Sequence, residues 1–243
     1  MTLAYDYPSI AKMIDHALLQ PSLTTRELEA GCRLAVAYDV ASVCILPYAV
    51  KQAAELLQES TVQPSTTIGF PHGAHASNVK LAEARQALAD GATEIDMVIN
   101  ISKAKSGDWN YVAAEISELT KEAHAAKARI KVIFENAYHD EKSKIELCRI
   151  CGDAEVDWVK TSTGYAASGA TLDDLRLMRS YSPPHVQVKA AGGIRDLDAL
   201  LAAREIGVTR VGASSTAAIL EACRKRLGLS PIAGVSASSS LGY

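Results

Sequence analysis

Residues 93–136 begin with TEIDMVIN (93–100), continue with DWNYVAAEISELTKEAHAA (108–126) and end with RIKVIFEN (129–136). The first and last runs are short and almost continuously apolar, a pattern typical of parallel strands that are covered by helices. The middle run has apolar residues three and four positions apart, which is typical of an amphipathic helix. This stretch therefore predicts a strand–helix unit followed by the next parallel strand.

The same alternation continues on both sides of this stretch. Short β-branched runs predict strands at residues 13–19, 40–47, 65–71, 93–100, 129–136, 157–163, 186–194 and 209–215. Apolar residues at helical spacing predict helices at residues 24–38, 77–91, 108–126 and 196–207. The expected caps at helix starts are Ser77, Asp108 and Asp196, and the expected helix ends are Gly91 and Gly207.

Eight strand–helix units in one chain predict an α/β fold of the (β/α)8 TIM-barrel type. A doubly wound open sheet is the competing architecture, but the sequence lacks the glycine fingerprint of dinucleotide-binding folds. We expect residues 1–228 to form one catalytic barrel domain that includes a short N-terminal helix. Residues 229–243 are rich in Ser, Gly and Ala and are predicted to form a flexible C-terminal tail.

The composition argues against several classes of protein. Hydrophobic residues make up 48% and charged residues 22% of the 243 residues, the balance of a soluble globular protein. A net charge of -3 argues against a nucleic-acid partner. No apolar run approaches the roughly 20 residues that span a bilayer. No signal-peptide pattern opens the chain. We therefore expect a cytoplasmic protein without a membrane partner.

The cysteines indicate packing rather than chemistry. Five cysteines, an odd number, argue against a disulfide framework. Cys148 and Cys151 form a C-x-x-C pair inside a predicted helix, EKSKIELCRICGD, and no second pair follows. Packing of two small apolar side chains is favoured there over a zinc or redox site.

Unusual residues lie near the predicted C-terminal ends of the strands, where barrel enzymes carry out their chemistry. They are Asp15, Cys44, Asp96, Asn100, Lys160, Lys189, Gly192, Gly193 and the run Gly212–Ser215. Two lysines and an aspartate within apolar strands would lose much of their solvation, so they indicate a functional site.

Lys160, in VDWVKTSTG (156–164), is the candidate nucleophile. Attack on a carbonyl needs a neutral amine, so the pKa of this lysine must lie well below its ordinary value near 10.4. Burial lowers the pKa, and Lys189 on the neighbouring strand supplies a second positive charge that lowers it further. The alternatives are that Lys160 ends a strand and reaches water, or that one of the two lysines points away from the barrel interior.

Four further side chains are candidates for catalytic or supporting roles. Asp96 is the candidate acid/base, because a carboxylate within an apolar strand needs partners and the lysines offer them. Alternatively, Asp96 is a structural counter-ion of Lys189, a role that also suits Asp15. Asn100 is a candidate hydrogen-bond partner of a substrate hydroxyl. Cys44, near the barrel mouth, is a candidate for modification by aldehyde, although a buried packing role is favoured.

Glycine and serine segments after the seventh and eighth strands predict a phosphate site. Barrels commonly bind phosphate there and at the start of the following helix. Glycine lets backbone N–H groups approach the phosphate, and hydroxyl groups add further donors. The predicted phosphate-binding residues are Thr163, Gly164, Gly192, Gly193, Gly212, Ser214 and Ser215.

Metal chemistry is the main rival to lysine chemistry. His72 and His75 follow the third predicted strand and are possible ligands. No clear third histidine or cysteine stands at a strand end to complete a catalytic metal site. We therefore predict neither a metal nor another cofactor.

Eight motifs resemble the deoxyribose-phosphate aldolase family: IDHALLQP, SVCILPYAV, IGFPHGA, EIDMVIN, KVIFEN, VKTSTGYA, VKAAGGIRD and RVGASS. The resemblance implies a class I aldolase that reversibly cleaves 2-deoxy-D-ribose 5-phosphate to acetaldehyde and D-glyceraldehyde 3-phosphate without a metal. By this likeness Lys160 forms the Schiff base, Lys189 depresses its pKa and assists proton transfer, and Asp96 relays protons. It also implies a part in deoxynucleoside breakdown and assembly into a homodimer or a larger homo-oligomer.

The chain departs from the family pattern at several positions. Ala17 and Gln20 replace a hydroxyl and a charge, and Ala190 replaces a proline beside Lys189. Tyr165 stands where phenylalanine is common, and its hydroxyl is a candidate contact of the ligand. These departures leave substrate tolerance and loop rigidity open.

The residues alone also leave two other functions and one further site residue open. A phosphosugar-binding barrel lyase or isomerase would leave two interior lysines without a purpose. A barrel that only binds sugar phosphates would leave the whole polar set unused. Tyr243, at the end of the predicted tail, is a candidate for proton transfer at the acetaldehyde carbon if the tail folds over the barrel mouth.

Overall fold

The computed structural model describes residues 5–232, in which eight parallel strands pair in chain order and close into a barrel. The strands are β1 (Ile14–Leu18), β2 (Ser42–Ile45), β3 (Gln63–Ile68), β4 (Glu94–Val98), β5 (Arg129–Ile133), β6 (Trp158–Lys160), β7 (Gln187–Ala191) and β8 (Arg210–Ala213). The predicted (β/α)8 barrel is confirmed. Most of the predicted tail, residues 233–243 with Tyr243, lies outside the described residues.

Helices follow the strands and cover the barrel. They are α1 (Tyr7–Ala11), α2 (Thr25–Tyr38), α3 (Val50–Leu57), α4 (Ser77–Ala89), α5 (Ile101–Lys105), α6 (Trp109–Ala125), α7 (Glu141–Asp153), α8 (Leu172–Tyr181), α9 (Leu197–Glu205) and α10 (Thr216–Arg226). Helix α1 is the short N-terminal helix that the sequence predicts. Within residues 5–232, no helix has the length and apolar character needed to cross a membrane.

Most of the predicted helix starts are confirmed. The Asp108 and Asp196 carboxylates cap α6 and α9 by accepting a hydrogen bond from a backbone N–H group of the first turn. The predicted cap at Ser77 is wrong, because Ser77 is itself the first helical residue of α4. Its hydroxyl lies 3.0 Å from Glu115 Oε1 and so contacts helix α6 instead.

The observed ends of two helices agree with the sequence prediction, and the end of one strand differs from it. Gly91 and Gly207 follow α4 and α9 with φ angles of 102° and 98°, which glycine adopts without strain. Strand β6 ends at Lys160 rather than at residue 163, because the chain leaves the sheet there to form part of a cavity wall.

Strand pairing brings charged residues to one level of the barrel. Lys160 on β6 is paired with Lys189 on β7, and Asp96 on β4 is paired with Lys131 on β5. All four residues are almost completely buried. Alternate residues of a strand point to opposite faces, so the adjacent Val159 packs on the other face of the sheet. The barrel interior therefore holds a polar layer, and the hydrophobic core lies between strands and helices.

The cysteines and histidines singled out in the sequence have ordinary surroundings. Cys148 and Cys151 are free thiols on α7 and belong to the hydrophobic core, which confirms the packing interpretation. His72 and His75 are exposed to solvent. Across residues 5–232, no group of three or more His, Cys, Asp and Glu side chains is arranged to hold a metal ion.

A buried ion pair ties helix α4 to helix α6. Lys80 Nζ lies 2.9 Å from Glu115 Oε2, and both side chains are fully buried. The same nitrogen donates to the backbone carbonyl of Val98 at the end of β4, at 2.8 Å. Glu115 Oε2 also accepts a hydrogen bond from the backbone N–H of Asn100. The pair therefore fixes the C-terminal end of β4, where the polar layer begins.

We expect Lys80→Met to lower the free energy of unfolding by about 3–5 kcal/mol, because Glu115 would be left buried and unpaired. Arg85→Met is the matched control. Arg85 and Glu122 join the same two helices at 2.9 Å, but the Arg85 side chain is 60% exposed. Losing that pair should cost less than about 1 kcal/mol. Urea unfolding measures both values, and equal losses would contradict this account of the buried pair.

Candidate active site

A cavity of about 430 Å³ opens at the C-terminal ends of the strands. Four of the predicted catalytic and supporting residues line it: Asp15, Cys44, Lys160 and Lys189. All seven predicted phosphate-binding residues line it as well: Thr163, Gly164, Gly192, Gly193, Gly212, Ser214 and Ser215. The structure therefore brings the two predicted groups of residues into one site.

Asp96 lies behind the two lysines and does not line the cavity. Its Oδ2 atom is 2.8 Å from Lys160 Nζ and 2.8 Å from Lys189 Nζ. Its Oδ1 atom accepts a hydrogen bond of 2.9 Å from Lys131 Nζ. These contacts suit the predicted proton relay, and they suit the alternative of a counter-ion equally well.

Asp15 occupies the position of a counter-ion. Its Oδ2 atom is 2.5 Å from Lys189 Nζ, and its Oδ1 atom is 2.5 Å from Arg210 Nη1. The hydroxyl of Ser42 donates a further hydrogen bond to Oδ1. Asp15 therefore gives Lys189 a second carboxylate partner besides Asp96.

Sequence analysis missed a deeper layer of charges formed by Glu94, Lys131 and Arg210. Glu94 Oε2 accepts a hydrogen bond of 2.6 Å from Lys131, and Glu94 Oε1 accepts one of 2.9 Å from Arg210. Glu94 stands two positions before Asp96, so the strand period of two places both side chains on the inner face. That spacing is the signal by which Glu94 could have been found.

Within the network of direct contacts, the charges do not balance when all of them are ionised. Its cations are Lys131, Lys160, Lys189 and Arg210, and its anions are Asp15, Glu94 and Asp96; within residues 5–232, no ion pair joins the buried Glu135 to this network. Arg129, whose side chain is 44% exposed, also reaches Glu94 and adds to the positive excess. Excess charge in a buried space is costly, so loss of one proton from one amine relieves the cluster.

The two lysines that line the cavity differ in pKa. Burial lowers the pKa of Lys160; the Asp96 carboxylate opposes this effect, and the positive charge of Lys189 adds to it. Burial acts in the same direction on Lys189, but the Asp15 and Asp96 carboxylates outweigh it and raise the pKa of Lys189 above its usual range. Lys160 is therefore the amine that gives up its proton.

The other end of the cavity offers hydrogen-bond donors. Gly192 and Gly193 have φ angles of 78° and 88°, which let the backbone turn after β7. Ser215 is the N-cap residue of α10, so the N-terminus of that helix stands at the cavity edge. Arg195 also lines the cavity and was not predicted as a site residue. Its place two positions after the glycine pair, in AAGGIRD, was the available signal.

Two sequence predictions need correction. Asn100 does not line the cavity; its Oδ1 atom caps α5 by accepting a hydrogen bond from the backbone N–H of Lys103. Thr163 does line the cavity, but its hydroxyl donates to the carboxylate of Glu135. A hydroxyl has one proton to donate, so Thr163 Oγ1 is not a donor for a ligand in this arrangement.

Two other candidates have contacts of their own. The hydroxyl of Tyr165 donates to the backbone carbonyl of Leu19 at 2.9 Å, and its ring meets the edge of Phe70 at 5.5 Å. Tyr165 thus spans from the loop after β6 to the loops after β1 and β3. Cys44 is buried at the cavity, and burial raises the pKa of its thiol, which favours the packing role over reaction with aldehyde.

Comparison with known proteins gives one consistent family. A sequence model described as "DeoC/LacD family aldolase" matches residues 9–225. A deoxyribose-phosphate aldolase of Rhodopirellula baltica is 56% identical over 98% of this chain and 99% of that protein. One from Thermococcus gammatolerans is 47% identical over 88% of this chain and 96% of that protein. The structure of the tetrameric deoxyribose phosphate aldolase from Aeropyrum pernix superposes with a TM-score of 0.85 at 31% identity, covering 91% of this chain and 93% of that one.

The electrostatics of the two lysines predict a shifted pH dependence in Lys189→Met. Removing the positive neighbour raises the pKa of Lys160, so the fraction of neutral amine at a given pH falls. Acetaldehyde and cyanoborohydride form a stable adduct on Lys160, and its yield can be plotted against pH. We expect the acidic limb of that plot to move to higher pH. Lys189→Arg keeps the charge and should leave the limb near its original position. Mass spectrometry of the adduct against pH measures both, and an unmoved limb in Lys189→Met would contradict the assignment.

Proposed function

The chain belongs to the DeoC/LacD family of aldolases, and we propose that it reversibly cleaves 2-deoxy-D-ribose 5-phosphate to acetaldehyde and D-glyceraldehyde 3-phosphate. The observation that carries this proposal is the buried amine of Lys160, with its lowered pKa, in a cavity whose other residues suit a phosphate. A neutral amine is what carbonyl attack needs. Lys160 is the residue that forms the Schiff base.

The reaction follows from the positions of the charged groups. Lys160 attacks the C1 aldehyde of the open-chain sugar and loses water to form a protonated Schiff base. Lys189, which has given its proton to the departing water, then takes the proton of the C3 hydroxyl, and the C2–C3 bond breaks, releasing D-glyceraldehyde 3-phosphate. The bonding electrons move onto the Schiff base, leaving an enamine on Lys160. Protonation at C2 and hydrolysis release acetaldehyde and restore the amine.

Asp96 and Lys189 are the groups proposed to move the protons. The Lys189 amine donates a hydrogen bond to the Asp96 carboxylate, and the Lys160 amine donates another to the same carboxylate. Lys189 keeps its proton under the influence of Asp15 and Asp96, so it is suited to donate to the carbinolamine oxygen that leaves as water. Asp96 contacts both lysines, so it is suited to accept the proton of Lys189 when the reaction runs in the reverse direction. Asp15 holds Lys189 in place.

The phosphate is proposed to bind between the loops that follow β6, β7 and β8. Backbone N–H groups of Gly164, Gly192 and Gly193, the hydroxyls of Ser214 and Ser215, and the N-terminus of α10 offer uncharged donors. Arg195 adds a positive charge at the same cavity. This arrangement favours a phosphorylated substrate over the free sugar.

We propose that the enzyme acts in the cytoplasm, in deoxynucleoside breakdown, as a homodimer or a larger homo-oligomer. The tetrameric relative from Aeropyrum pernix supports self-association of this fold. The acidic net charge of -3 and the small cavity at the strand ends suit a small-molecule substrate rather than a nucleic acid.

Borohydride trapping tests the proposed function directly. Incubation with acetaldehyde and borohydride should add one reduced acetaldehyde unit to the protein, located on Lys160 by peptide mass spectrometry. Lys160→Met should abolish both the adduct and the cleavage of 2-deoxyribose 5-phosphate. Lys105→Met, a surface control, should retain both. Cleavage that survives Lys160→Met but is lost on addition of a chelator would point to metal chemistry and refute the proposal.

Tyr243 lies outside the described residues, and its part in proton transfer stays a proposal. A phenol at the barrel mouth would be placed to protonate the enamine at C2. We expect Tyr243→Phe to slow turnover and the exchange of acetaldehyde methyl protons with deuterated water, while the trapped adduct on Lys160 still forms. NMR of the methyl signal follows the exchange. Unchanged turnover and exchange would remove Tyr243 from the mechanism.

A further inference from the structure

One wall of the active-site cavity is the segment 163–169, which joins β6 to the loop before α8. Of this segment, Thr163, Gly164, Ala166, Ala167, Ser168 and Gly169 line the cavity. The wall begins three positions after Lys160, so its place decides how the rest of the substrate lies when the amine reacts. The contacts that hold this segment in place therefore affect substrate binding as well as packing.

A buried carboxylate holds the start of the wall. Glu135 follows β5 in the left-handed region, at φ 58°, and is only 2% exposed. Its carboxylate accepts hydrogen bonds from the backbone N–H of Thr163, at 3.2 and 3.3 Å, and from the Thr163 hydroxyl. A left-handed backbone and a desolvated charge both cost free energy, so such a residue persists only where its surroundings require it.

Glu135 has no cation in contact that would explain its burial. Among residues 5–232, no ion pair includes it, and the hydrogen bonds to its carboxylate all come from Thr163. Burial raises its pKa, and the hydrogen bonds from Thr163 and the charge of Lys160 oppose that rise. The contact with Thr163 therefore favours the ionised form of the carboxylate.

Thr163 passes this constraint on to the rest of the turn. Its hydroxyl donates a hydrogen bond to Glu135 and accepts one of 3.0 Å from the backbone N–H of Tyr165. Between them, Gly164 turns at a φ of 92°. The orientation of the hydroxyl thus fixes the turn and the direction of the Gly164 backbone, which faces the proposed phosphate site.

The far end of the wall is fixed by backbone contacts without a charged group. A Cβ atom on Gly169 would lie 2.3 Å from the carbonyl oxygen of Gly192, so the two backbones are in direct contact. The backbone N–H of Ala170 donates to the same oxygen at 2.9 Å. Glu135 is therefore the charged anchor of the wall, and Gly192, itself part of the proposed phosphate site, is the uncharged one.

We propose that Glu135 is a positioning residue that, through Thr163, holds the segment 163–169 where its backbone meets the substrate phosphate and so sets the preference for a phosphorylated substrate. The inference rests on the proposed function, because it concerns the phosphate of that substrate. Glu135 does not touch the reacting atoms. By accepting the hydrogen bond of the Thr163 hydroxyl, it leaves the phosphate to backbone N–H groups, serines and Arg195, and the Glu135 carboxylate itself does not line the cavity.

The test uses Glu135→Gln, which preserves the shape of the side chain and removes its charge. We expect the KM for 2-deoxyribose 5-phosphate to rise roughly tenfold, as for loss of one hydrogen bond to a charged group. We expect kcat to change by less than about twofold, since the chemistry at Lys160 is untouched. The kcat/KM for unphosphorylated 2-deoxyribose should change by less than about twofold as well, because that substrate makes no contact with the phosphate site.

A double-mutant cycle asks whether Glu135 acts through Thr163. Thr163→Val removes the hydroxyl and should raise the same KM by a similar factor, whereas Thr163→Ser retains the hydroxyl and should recover most of the affinity. In the Thr163→Val background, Glu135→Gln should add little, because the hydroxyl through which Glu135 fixes the turn is already absent. Additive effects in the double variant would overturn the proposal. If Glu135→Gln fails to fold, equal KM values for Thr163→Val and Thr163→Ser would overturn it.

Asp157→Asn is the matched control for a general loss of structure. Asp157 Oδ2 accepts a hydrogen bond of 2.8 Å from the backbone N–H of Ile130, so it joins the same two strands at the end opposite to the cavity. This variant should lower the unfolding temperature and leave the ratio of kcat/KM values for the two substrates unchanged. An equal fall for both substrates in Glu135→Gln would assign Glu135 to the fold alone and refute the proposal.

Failure of this inference is distinguishable from failure of the proposed function. If the unmodified protein forms no trapped adduct on Lys160, the proposed aldolase function fails. If the adduct forms but Glu135→Gln keeps its KM for the phosphorylated sugar, only the role of Glu135 fails. The charges of Glu135 and Lys160 interact, so loss of the carboxylate can by itself only move the acidic limb of adduct formation to lower pH. A limb moved to higher pH in Glu135→Gln would show that the surroundings of Lys160 have changed, and would equally overturn the proposal.

Discussion

The Asp96 carboxylate is the contact on which the rest of the site depends. It holds the amine nitrogens of three lysines, from three different strands, within 2.9 Å. It therefore fixes where the reactive amine of Lys160 stands. It also favours the charged form of each lysine, and so opposes the neutral amine that carbonyl attack needs. Burial and the charge of Lys189 act in the other direction. The pKa of Lys160 is thus a balance of opposed effects.

The closed barrel is what lets one carboxylate meet three lysines. Pairing in register sets Lys131 beside Asp96 and Lys189 beside Lys160, and closure brings these pairs face to face. A slip of one residue in any of these strands would turn its charges towards the helices. Each unpaired charge between the sheet and the helices would lower the free energy of unfolding by several kcal/mol. The sum for these residues would be roughly the whole stability of a domain. The polar layer that serves the chemistry therefore also specifies the register.

The barrel and the residues at the strand ends could be predicted from the sequence because both rest on local patterns. Lys160 and Lys189 stood out as charges within apolar runs. Glu94 and Arg210 open their strands, where a charge in a sequence looks like a solvated strand end. Asn100 caps a helix of five residues, too short to show a helical period. The partner of Thr163 is 28 positions away in another loop, a contact that no local pattern contains.

The cavity keeps the reactive amine of Lys160 apart from the proposed phosphate site, because the charge of a phosphate opposes the low pKa that the amine needs. Lowering the pKa of an amine needs burial and a positive neighbour, whereas binding a phosphate brings a concentrated negative charge, which raises the pKa of any nearby lysine. Arg195 and the start of α10 offset that charge where the phosphate is proposed to sit. The segment 163–169 connects Lys160 to that place, so its position sets the distance between the two charges. The pKa of Lys160 is set by burial, Asp96 and Lys189, none of which belongs to this wall. Movement of the wall would therefore weaken phosphate binding and leave the amine in its place, so the two tasks are held by different contacts.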